Sequence, residues 1–462
     1  MGYRLREFGA ESKFISELTV EAIGRAVPLS EVQAVIQETG TQEARERKLH
    51  MVAVVFVIIA MSIYTSSSIG DVMRKLARGL RFVWHDPCYQ LPKDSALTYR
   101  RYQLGARPLV RLFHRLCRPM TTPKTRGAFL FGLRLMAIDG TVEDVPDTAQ
   151  NAAAFGRQHG SRGDSAFPQV RGVYLCECGA HAIVDAGFWP YRISERVGGF
   201  RMLRSIGPGM LVMWDRGLHD YDMIACARRH EAHVLSRLPS NVKPKIIRKL
   251  PDGSYLAHLL PSDYRRRKQG EHLVVRIIQY TITDPALPGY GKTHRLVTTL
   301  LDPETYPALD LACAYHERWE IEIVIDEVDT HQRLAGRPLR SLKPIGVIQE
   351  LYGLLIAHYA VRFLMHEAAL QADLDPDRLS FIHALRMIGD AIPEFQMVAF
   401  EHLDHLYTRL LHDIADGRIP KRRLRSNPRV VKRKMSNFGL KRPEHQHWPQ
   451  PTLPLRQSMA LI

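Results

Sequence analysis

Cysteine is scarce in this sequence, and its placement argues against a cysteine-built metal site. The 462 residues include six cysteines. The one close pair, Cys176 and Cys178, is separated by a single residue in an alternating apolar run, where neighbouring side chains point to opposite faces of a strand. Such a pair is poorly placed to share one zinc ion. Free thiols in a reducing cytoplasm are the simplest interpretation.

A run of residues long enough to span a membrane is also missing. The most apolar stretch, Met51–Thr65, falls short of the roughly 20 residues that a membrane helix needs. The N-terminus, MGYRLREFGAESKF, is charged and does not resemble a signal peptide. We therefore expect no membrane partner, and we expect Met51–Thr65 to form a buried helix within a helical domain.

Acidic residues are too few to balance the basic ones. The chain has 64 Lys and Arg residues against 48 Asp and Glu residues, a formal net charge of +16. This excess favours a polyanionic partner, and nucleic acid is the commonest polyanion in a cell. A basic protein that is merely soluble remains an alternative, because the composition is otherwise ordinary, with 45% hydrophobic and 24% charged residues.

Hydrophobic spacing divides the chain into helical and mixed regions, and its length exceeds what one core normally serves. Short apolar strands alternate with helices in the central part, which is typical of an α/β domain with a mixed sheet. The predicted segments are a helical N-terminal domain with a DNA-binding basic face at 12–116, the first part of an α/β core at 130–238, a β-rich insertion at 239–310, the rest of the core at 311–370, and a helical C-terminal region with a basic tail at 371–462.

Two aspartates follow apolar strands. Asp139 ends the predicted strand LRLMAI, and Asp215 follows the predicted strand LVMW. Taken alone, Asp139-Gly140 is more often a turn than a ligand. Asp215 could equally cap a helix or pair with Arg216.

A third acidic residue, Glu322, lies in the helical segment YHERWEIE. Tyr315, Arg318 and Glu322 are spaced by three and four residues, which predicts that they share one helix face. A solvated face with an Arg318–Glu322 ion pair is the plainer interpretation. Phosphodiester cleavage uses two divalent cations about 3.5–4 Å apart, and two or three carboxylates suffice to hold them. Convergence of the three acidic residues would therefore support phosphodiester chemistry.

The order of these motifs resembles a known family. A strand ending in IDGT, a strand ending in WDRG and then Tyr-x2-Arg-x3-Glu on a helix resemble the cut-and-paste insertion-sequence transposases with a DDE triad. Within them the chain is most similar to the insertion-sequence-four family. The β-rich insertion, the helical N-terminal segment and the tail NPRVVKRKMSNF are also similar to that family. The resemblance covers nearly the whole chain.

The resemblance implies an α/β fold with a ribonuclease-H-like catalytic core, in which Asp139, Asp215 and Glu322 are the catalytic residues and the metal ligands. It implies metal-dependent DNA strand cleavage and strand transfer with two Mg²⁺ ions, for which Mn²⁺ can substitute. The implied partner is double-stranded DNA, at the transposon ends and at the target, bound by a homodimer. The implied location is the bacterial cytoplasm, at the nucleoid.

Basic clusters are the expected phosphate contacts. In many proteins such clusters are solvated surface, but on a DNA enzyme they supply affinity without reading the base sequence. The resemblance adds two residues of the Glu322 motif as phosphate contacts beside the active site. The residues expected to bind DNA are Tyr315, Arg318, Arg265, Arg266, Arg267, Lys268, Arg422, Arg423, Lys432, Arg433 and Lys434.

The chain departs from the family's pattern in two places. The family has Lys seven residues after the motif's Glu, where this chain has Asp329. An anion beside a bound phosphate weakens strand binding, unless Arg333 compensates. Hairpin-forming relatives also hold a flipped base with an aromatic residue of the insertion, and no Trp lies between 239 and 310 here. The remaining candidates for stacking are Tyr255, Tyr264, Tyr280 and Tyr290.

Three alternatives stay open at the level of sequence. The first is a transposase-derived DNA-binding protein without catalytic activity, which Asp329 supports. The second is a ribonuclease-H-like nuclease that cleaves without strand transfer. The third is a basic scaffold for anionic partners, for which Asp139→Asn would leave every activity intact.

Overall fold

The computed structural model describes residues 2–9, 11–43, 49–160, 163–287, 289–333, 336–420, 431–432, 439–440 and 453–462. The chain forms two compact units, each assembled from segments that are distant in sequence. Unit 1 comprises Met1–Ala128, Ile138–Ser205 and Glu320–Ile419. Unit 2 comprises Phe129–Ala137, Ile206–Trp319 and Pro420–Ile462.

Helices dominate the first part of the chain and return after residue 308. The α-helices of the described residues are α1 (Leu29–Glu38), α2 (Met51–Ala60), α3 (Ile69–Leu76), α4 (Arg78–Val83), α5 (Asp94–Leu104), α6 (Arg107–Leu116), α7 (Ala149–Phe155), α8 (Glu195–Met202), α9 (Tyr221–Arg229), α10 (Tyr264–Lys268), α11 (Ala308–Glu317), α12 (Trp319–Asp326), α13 (Pro344–Gln371), α14 (Phe381–Met397) and α15 (Leu403–Asp416). A π-helical segment, Glu327–Gln332, follows α12 directly. Short 3₁₀ helices lie at Glu21–Ile23, Leu203–Ser205, Pro376–Arg378, Phe400–His402 and Leu455–Ser458.

Strands occupy the middle of the chain. The strands of the described residues are β1 (Phe129–Leu130), β2 (Leu133–Asp144), β3 (His159–Gly160), β4 (Gly163–Asp164), β5 (Gln169–Glu177), β6 (Ala182–Pro190), β7 (Met210–Trp214), β8 (His233–Arg237), β9 (Lys245–Lys249), β10 (Tyr255–Leu259), β11 (Leu273–Ile282), β12 (Thr293–Thr298), β13 (Val431–Lys432), β14 (Gly439–Leu440) and β15 (Met459–Leu461).

The core of unit 1 is built on α13. This helix starts with proline in its first turn, and it is apolar on most faces, so it is stable only when surrounded. It packs against α2, α6, α14 and α15. By length and composition α13 could cross a membrane, but 83% of its apolar window is buried inside the protein, as in the core helix of a soluble fold. The expected buried helix at Met51–Thr65 is found as α2, and nine of its ten residues are buried.

Unit 1 also contains an antiparallel hairpin of β5 and β6, as the sequence predicts. Val170 pairs with Pro190 at one end of the hairpin and Glu177 with Ala182 at the other. Gly179 in the turn has φ +80°, and a Cβ there would lie 2.9 Å from Ala128, so glycine is required on both grounds. The strand order in this unit is β6-β5-β2.

Unit 2 contains a mixed sheet with the order β2-β7-β8-β12-β11-β10-β9, and the residues of β2 are divided between the two units at Ala137. β7 and β8 are parallel and are connected by α9, whereas β8 to β12 and each later pair are antiparallel. Leu211 through Trp214 in β7 have no exposed surface, because both faces of this strand are covered. The predicted β-rich insertion supplies β9 to β12.

Candidate active site

Asp139 lies within a strand rather than at its end. The sequence predicted that the strand stops at Asp139-Gly140, but β2 continues to Asp144, so this expectation is wrong. Gly140 does not have a positive φ and makes no turn. A Cβ at Gly140 would lie 2.8 Å from the Glu195 side chain, which would have to move aside. The half-buried Asp139 accepts a hydrogen bond from the Gly140 N–H at 2.9 Å.

Asp215 is the first residue after β7, at the carboxyl end of a buried parallel strand. Its Oδ1 accepts hydrogen bonds from the N–H groups of Gly217 at 2.7 Å and Leu218 at 3.1 Å. A side chain on Gly217 would lie 3.2 Å from that same oxygen. The loop therefore holds the Asp215 carboxylate at the strand end where α/β folds commonly bind ligands.

Glu322 lies on α12 and is half-buried. The sequence predicted one continuous helix through Tyr315, Arg318 and Glu322, whereas the structure ends α11 at Glu317 and starts α12 at Trp319. The N–H of Arg318 donates to the Tyr315 carbonyl at 3.3 Å, a tighter turn than an α-helix makes. Tyr315 and Arg318 thus belong to unit 2, and Glu322 belongs to unit 1.

Tyr315 is buried and faces the strand that precedes Asp215. It is 7% exposed, and its hydroxyl donates to the carbonyl oxygen of Trp214 at 3.4 Å. Burial raises the pKa of Tyr315 to about 12. The Arg318 guanidinium lies 6.0 Å from the Tyr315 ring. These contacts place the Tyr315 hydroxyl against the backbone that precedes Asp215, and the expected DNA contact of Tyr315 stays a prediction.

In unit 1, one hydrogen bond joins the strand of Asp139 to the chain segment of Glu322. The Thr141 hydroxyl donates to Asp329 Oδ2 at 2.8 Å. Thr141 is two residues after Asp139 and therefore lies on the same face of β2. Asp329 is seven residues after Glu322, about two helical turns further on. This contact brings the two elements that carry Asp139 and Glu322 side by side.

Asp329 occupies the position of the family's Lys and is half-buried. Burial raises the pKa of its carboxyl group to about 6. Its Oδ1 is buried and has no hydrogen-bond partner among the described residues. Arg333, the suggested compensating cation, forms an ion pair with buried Glu143 and donates to the Arg337 carbonyl at 2.9 Å. Arg333 is therefore engaged inside unit 1.

The basic residues of α10 fall into two kinds. Arg265, Arg267 and Lys268 are exposed, as expected for phosphate contacts. The Arg266 guanidinium instead makes two hydrogen bonds to Asp222, at 2.8 and 3.0 Å, and two to Glu271, at 2.5 and 2.8 Å. These pairs commit Arg266 to the fold of unit 2.

Of the basic residues that we expect to bind DNA in the C-terminal tail, only Lys432 lies among the described residues, in the short strand β13. The expected DNA contacts of the tail for which no structure is described are Arg422, Arg423, Arg433 and Lys434.

The tyrosines of the β-rich insertion differ sharply in exposure. Tyr264 is 66% exposed and Tyr290 is 54% exposed, so either can stack on a base. Tyr280 is 2% exposed and its ring stacks on His294, which removes it from the candidates. Tyr255 is half-buried in β10.

A cluster that the sequence did not reveal lies in unit 1. The potential ligand atoms of His181, Glu320 and Asp377 lie within 4.8 Å of one another, and His181 is 1% exposed. His181, Glu320 and Asp377 are so far apart in the chain that they show no metal-ligand spacing in the sequence.

The candidate ligands themselves fit a hard divalent cation. Asp139, Asp215 and Glu322 offer only carboxylate oxygens, the donors that Mg²⁺ and Mn²⁺ prefer. Each sits on a strand, at a strand end or on a helix, and such elements hold ligands rigidly.

Comparison with known proteins places these features in a family. The N-terminal model of insertion element 4 transposases matches residues 17–114, and the transposase DDE domain matches residues 130–360. The transposase InsG for insertion sequence element IS4 of Escherichia coli K12 is 28% identical over 433 residues, covering 92% of each chain. The putative transposase InsZ of the same organism is 27% identical over 208 residues, which is 43% of this chain and 64% of InsZ. Among solved structures, a piggyBac transposase synaptic complex with hairpin DNA covers 85% of each chain at 12% identity, with a TM-score of 0.44.

The mixed sheet with helices and the matched domain define the class: this is a DNA transposase of the DDE type. Such enzymes act as endonucleases and polynucleotidyl transferases. More narrowly, the chain belongs to the insertion element 4 (IS4) family of transposases. The expected family is confirmed, and so is the expected α/β fold class with its helical N-terminal region.

Proposed function

We propose that this chain carries out cut-and-paste transposition of an insertion sequence, with Asp139, Asp215 and Glu322 as its catalytic triad. The observation that carries the proposal is that all three residues lie inside the segment 130–360 that matches the transposase DDE domain. They occupy a central strand, the end of a buried parallel strand and a helix that follows the insertion. The reaction is cleavage of a DNA strand followed by transfer of its 3′ end to a target.

We assign two Mg²⁺ ions to the three carboxylates, with Mn²⁺ able to replace them. When bound, such cations supply charge neutralisation and activation of the attacking and leaving oxygens. The chain's own part is positional. The N–H groups of Gly217 and Leu218 orient Asp215, and the Thr141–Asp329 hydrogen bond fixes the strand of Asp139 against the segment of Glu322. Three carboxylate ligands offer only oxygen donors, and such a ligand set disfavours softer cations.

DNA binding is assigned to exposed cations and to the insertion. Arg265, Arg267 and Lys268 on α10 are free of the ion pairs that engage Arg266, and Arg318 lies next to the Asp215 loop through its contact with Tyr315. The basic tail adds Arg422, Arg423, Lys432, Arg433 and Lys434. Such contacts supply affinity and salt dependence rather than base recognition.

The proposed partners are double-stranded transposon ends and target DNA, bound by a homodimer. Both ends of an element must be held together for excision, and two copies of one chain related by symmetry present two equivalent sites. The proposed location is the bacterial nucleoid, where the DNA substrate lies.

Strand cleavage of labelled inverted-repeat DNA in Mg²⁺ tests the proposal. The native chain is expected to nick and join these ends, and chelation by EDTA is expected to stop both reactions. Asp139→Asn is expected to lower the cleavage rate at least a hundredfold while end binding persists. Asp144→Asn is the matched control, because Asp144 lies on the same strand and accepts a hydrogen bond from Gln169 at 2.9 Å. Equal rates for Asp139→Asn and the native chain would refute the proposed triad.

Asp329 favours one rival, a transposase-derived protein that binds DNA without cutting it. That rival predicts tight binding to transposon ends and no cleavage in either Mg²⁺ or Mn²⁺ by the native chain. A product cut but never joined would instead identify a nuclease. The same assay separates all three.

A further inference from the structure

A buried polar network in unit 1 contacts α12, the helix of Glu322, on the face opposite to Glu322. Glu320 on α12 and Glu327 at the start of the π-helical segment are 7% and 5% exposed. They are seven residues apart and so share one helix face. Glu322, two residues after Glu320, points about 160° away from that residue at a helical turn of about 100° per residue. The buried pair therefore anchors the face opposite the proposed metal ligand.

Glu327 is the centre of the network. Its Oε2 accepts from Arg362 Nε at 2.9 Å and lies 3.2 Å from His358 Nε2, and its Oε1 accepts from the other arm of the Arg362 guanidinium. Arg362 is 3% exposed on α13. A bidentate pair of this kind fixes both distance and orientation. Glu327 is thereby tied to the core helix of unit 1.

The network returns to α12 through His181. Arg362 also lies 2.6 Å from His181 Nδ1, and His181 Nε2 contacts Glu320 and lies 3.2 Å from Asp377 Oδ1. His181 sits in the turn between β5 and β6 with φ +56°, a conformation that surrounding contacts must maintain. The contacts Glu327–Arg362–His181–Glu320 thus connect two residues on the same face of this helical segment.

Three carboxylates surround the buried His181. Burial and the Arg362 guanidinium lower the pKa of His181, but Asp377, Glu320 and Glu327 outweigh them and raise it to about 9. The imidazole is therefore favoured in its charged form, which donates from Nε2 to Glu320. His181 thus joins Glu320 on α12 to the acidic groups around it as well as to Arg362.

The α12 helix needs such tertiary contacts because it has little intrinsic stability. α12 has eight residues and passes directly into π-helical hydrogen bonding, which is rare in proteins and often found beside functional sites. Short helices hold their position through tertiary contacts rather than through intrinsic stability. The Thr141–Asp329 hydrogen bond contributes on the strand side, and the buried network contributes on the core side.

We propose that Glu327 is a positioning residue for Glu322, acting through its bidentate pair with Arg362 and the link from Arg362 to His181 and Glu320. This inference rests on the proposed role of Glu322 as a metal ligand. A displaced Glu322 weakens metal binding before it weakens DNA binding, because the DNA contacts lie elsewhere.

The test compares Glu327→Gln with Glu350→Gln in strand-cleavage assays over a range of Mg²⁺ concentrations. Glu350 is a matched control: it is 3% exposed, lies on α13 like Arg362, and its carboxylate pairs with Arg340 at 3.0 Å and accepts from Ser341 at 2.9 Å. Glu327→Gln is expected to need at least tenfold more Mg²⁺ for half-maximal cleavage, with affinity for DNA ends within twofold of the native value. Glu350→Gln is expected to lower the melting temperature and leave the Mg²⁺ requirement unchanged.

A second variant keeps the test decisive if Glu327→Gln folds poorly. Glu327→Asp retains the charge and shortens the reach, so it is expected to restore part of the Mg²⁺ response. A native Mg²⁺ requirement in Glu327→Gln, a Glu327→Asp variant no closer to the native requirement than Glu327→Gln, or an equal shift in Glu350→Gln would overturn the proposal. Stoichiometric zinc in the purified chain that disappears in His181→Ala would also overturn it, because the network would then be a metal site.

Failure of the proposed function would look different. Glu322→Gln that still cleaves in Mg²⁺ would remove Glu322 from the active site whatever the Glu327 variants do. Loss of cleavage in Glu322→Gln together with an unshifted Mg²⁺ requirement in Glu327→Gln would leave the triad intact and reject only the positioning role.

Discussion

The hydroxyl of Tyr315 points at a backbone carbonyl, and this decides what its removal does. Tyr315→Phe deletes the donor to the Trp214 carbonyl oxygen and leaves the buried ring in place. A hydrogen bond of this kind contributes about 0.5–1.5 kcal/mol to stability. We expect that loss in urea unfolding, a slower cleavage rate from a looser Asp215 loop, and unchanged affinity for DNA ends. Weaker end binding at unchanged stability would instead support the expected phosphate contact of Tyr315.

Adjacent arginines of α10 should respond in opposite ways to truncation. Arg267→Ala removes an exposed cation, so it is expected to leave the melting temperature unchanged and to reduce the slope of log affinity against log salt by about 0.9. Arg266→Ala breaks the pairs with Asp222 and Glu271, so it is expected to lower the melting temperature. Fluorescence anisotropy at several salt concentrations measures the slope. Identical slopes for Arg267→Ala and the native chain would remove α10 from the DNA-binding surface.

For single residues, the sequence identified candidate side chains but did not predict which neighbours each of them contacts. Alternation and strand ends were enough to single out Asp215, because a buried strand followed by Asp-Arg-Gly is a local pattern. The separation of Arg266 from Arg267 depends on Asp222 and Glu271, which are brought to α10 by the fold of unit 2. No local pattern in YRRRK distinguishes them.

For the elements around the site, the most informative group is Asp329. Burial raises its pKa to about 6 from 3.8, so folding favours the protonated form. The carboxyl costs nothing below pH 4, where it is protonated in both states, and its cost appears as the pH rises from about 4 to about 6. Asp329→Asn keeps an acceptor for Thr141 and carries no charge. We expect it to be more stable than the native chain above pH 6, by roughly 1–3 kcal/mol at about 1.4 kcal/mol per pKa unit.

Urea unfolding in EDTA at pH values from 4.5 to 8 measures that difference. The gap between the two chains should widen up to about pH 6 and stay level above it. If the difference in free energy of unfolding between the two chains is the same at every pH, the pKa of Asp329 is not raised by folding, and its carboxylate is solvated or hydrogen-bonded in the folded protein.

Two features of the helices and strands could not be predicted from local sequence patterns. The spacing of Tyr315, Arg318 and Glu322 predicts one helix face, yet the helix is interrupted at Arg318 and continues into a π-helical segment at Glu327. Helical spacing alone cannot report such an interruption, since the residues on both sides still favour helix. Likewise Asp-Gly suggested a turn at Gly140, but pairing in the sheet extended β2 to Asp144. In both cases tertiary contacts overrode a local preference.

For the whole molecule, the sequence predicted the fold class because its motifs occur in a family-specific order along nearly the entire chain. The helical N-terminal region, the mixed sheet and the β-rich insertion between Asp215 and Glu322 are all present. The buried network of His181, Glu327 and Arg362 was not predicted. Its members come from the β5–β6 turn, the π-helical segment and α13, and only the folded chain brings them together.

We propose that Asp139, Asp215 and Glu322 bind catalytic divalent cations, and the Asp215→Cys variant tests this proposal most directly. A thiolate is a soft ligand that binds Mg²⁺ poorly and Mn²⁺ better. DNA strand cleavage should therefore be lost in Mg²⁺ and recovered in Mn²⁺ for this variant, whereas the native chain cleaves in both. If Asp215→Cys cleaves DNA equally well in Mg²⁺ and in Mn²⁺, Asp215 is not a metal ligand. The same conclusion follows if Asp215→Cys cleaves in neither cation while Asp215→Ala recovers cleavage in Mn²⁺.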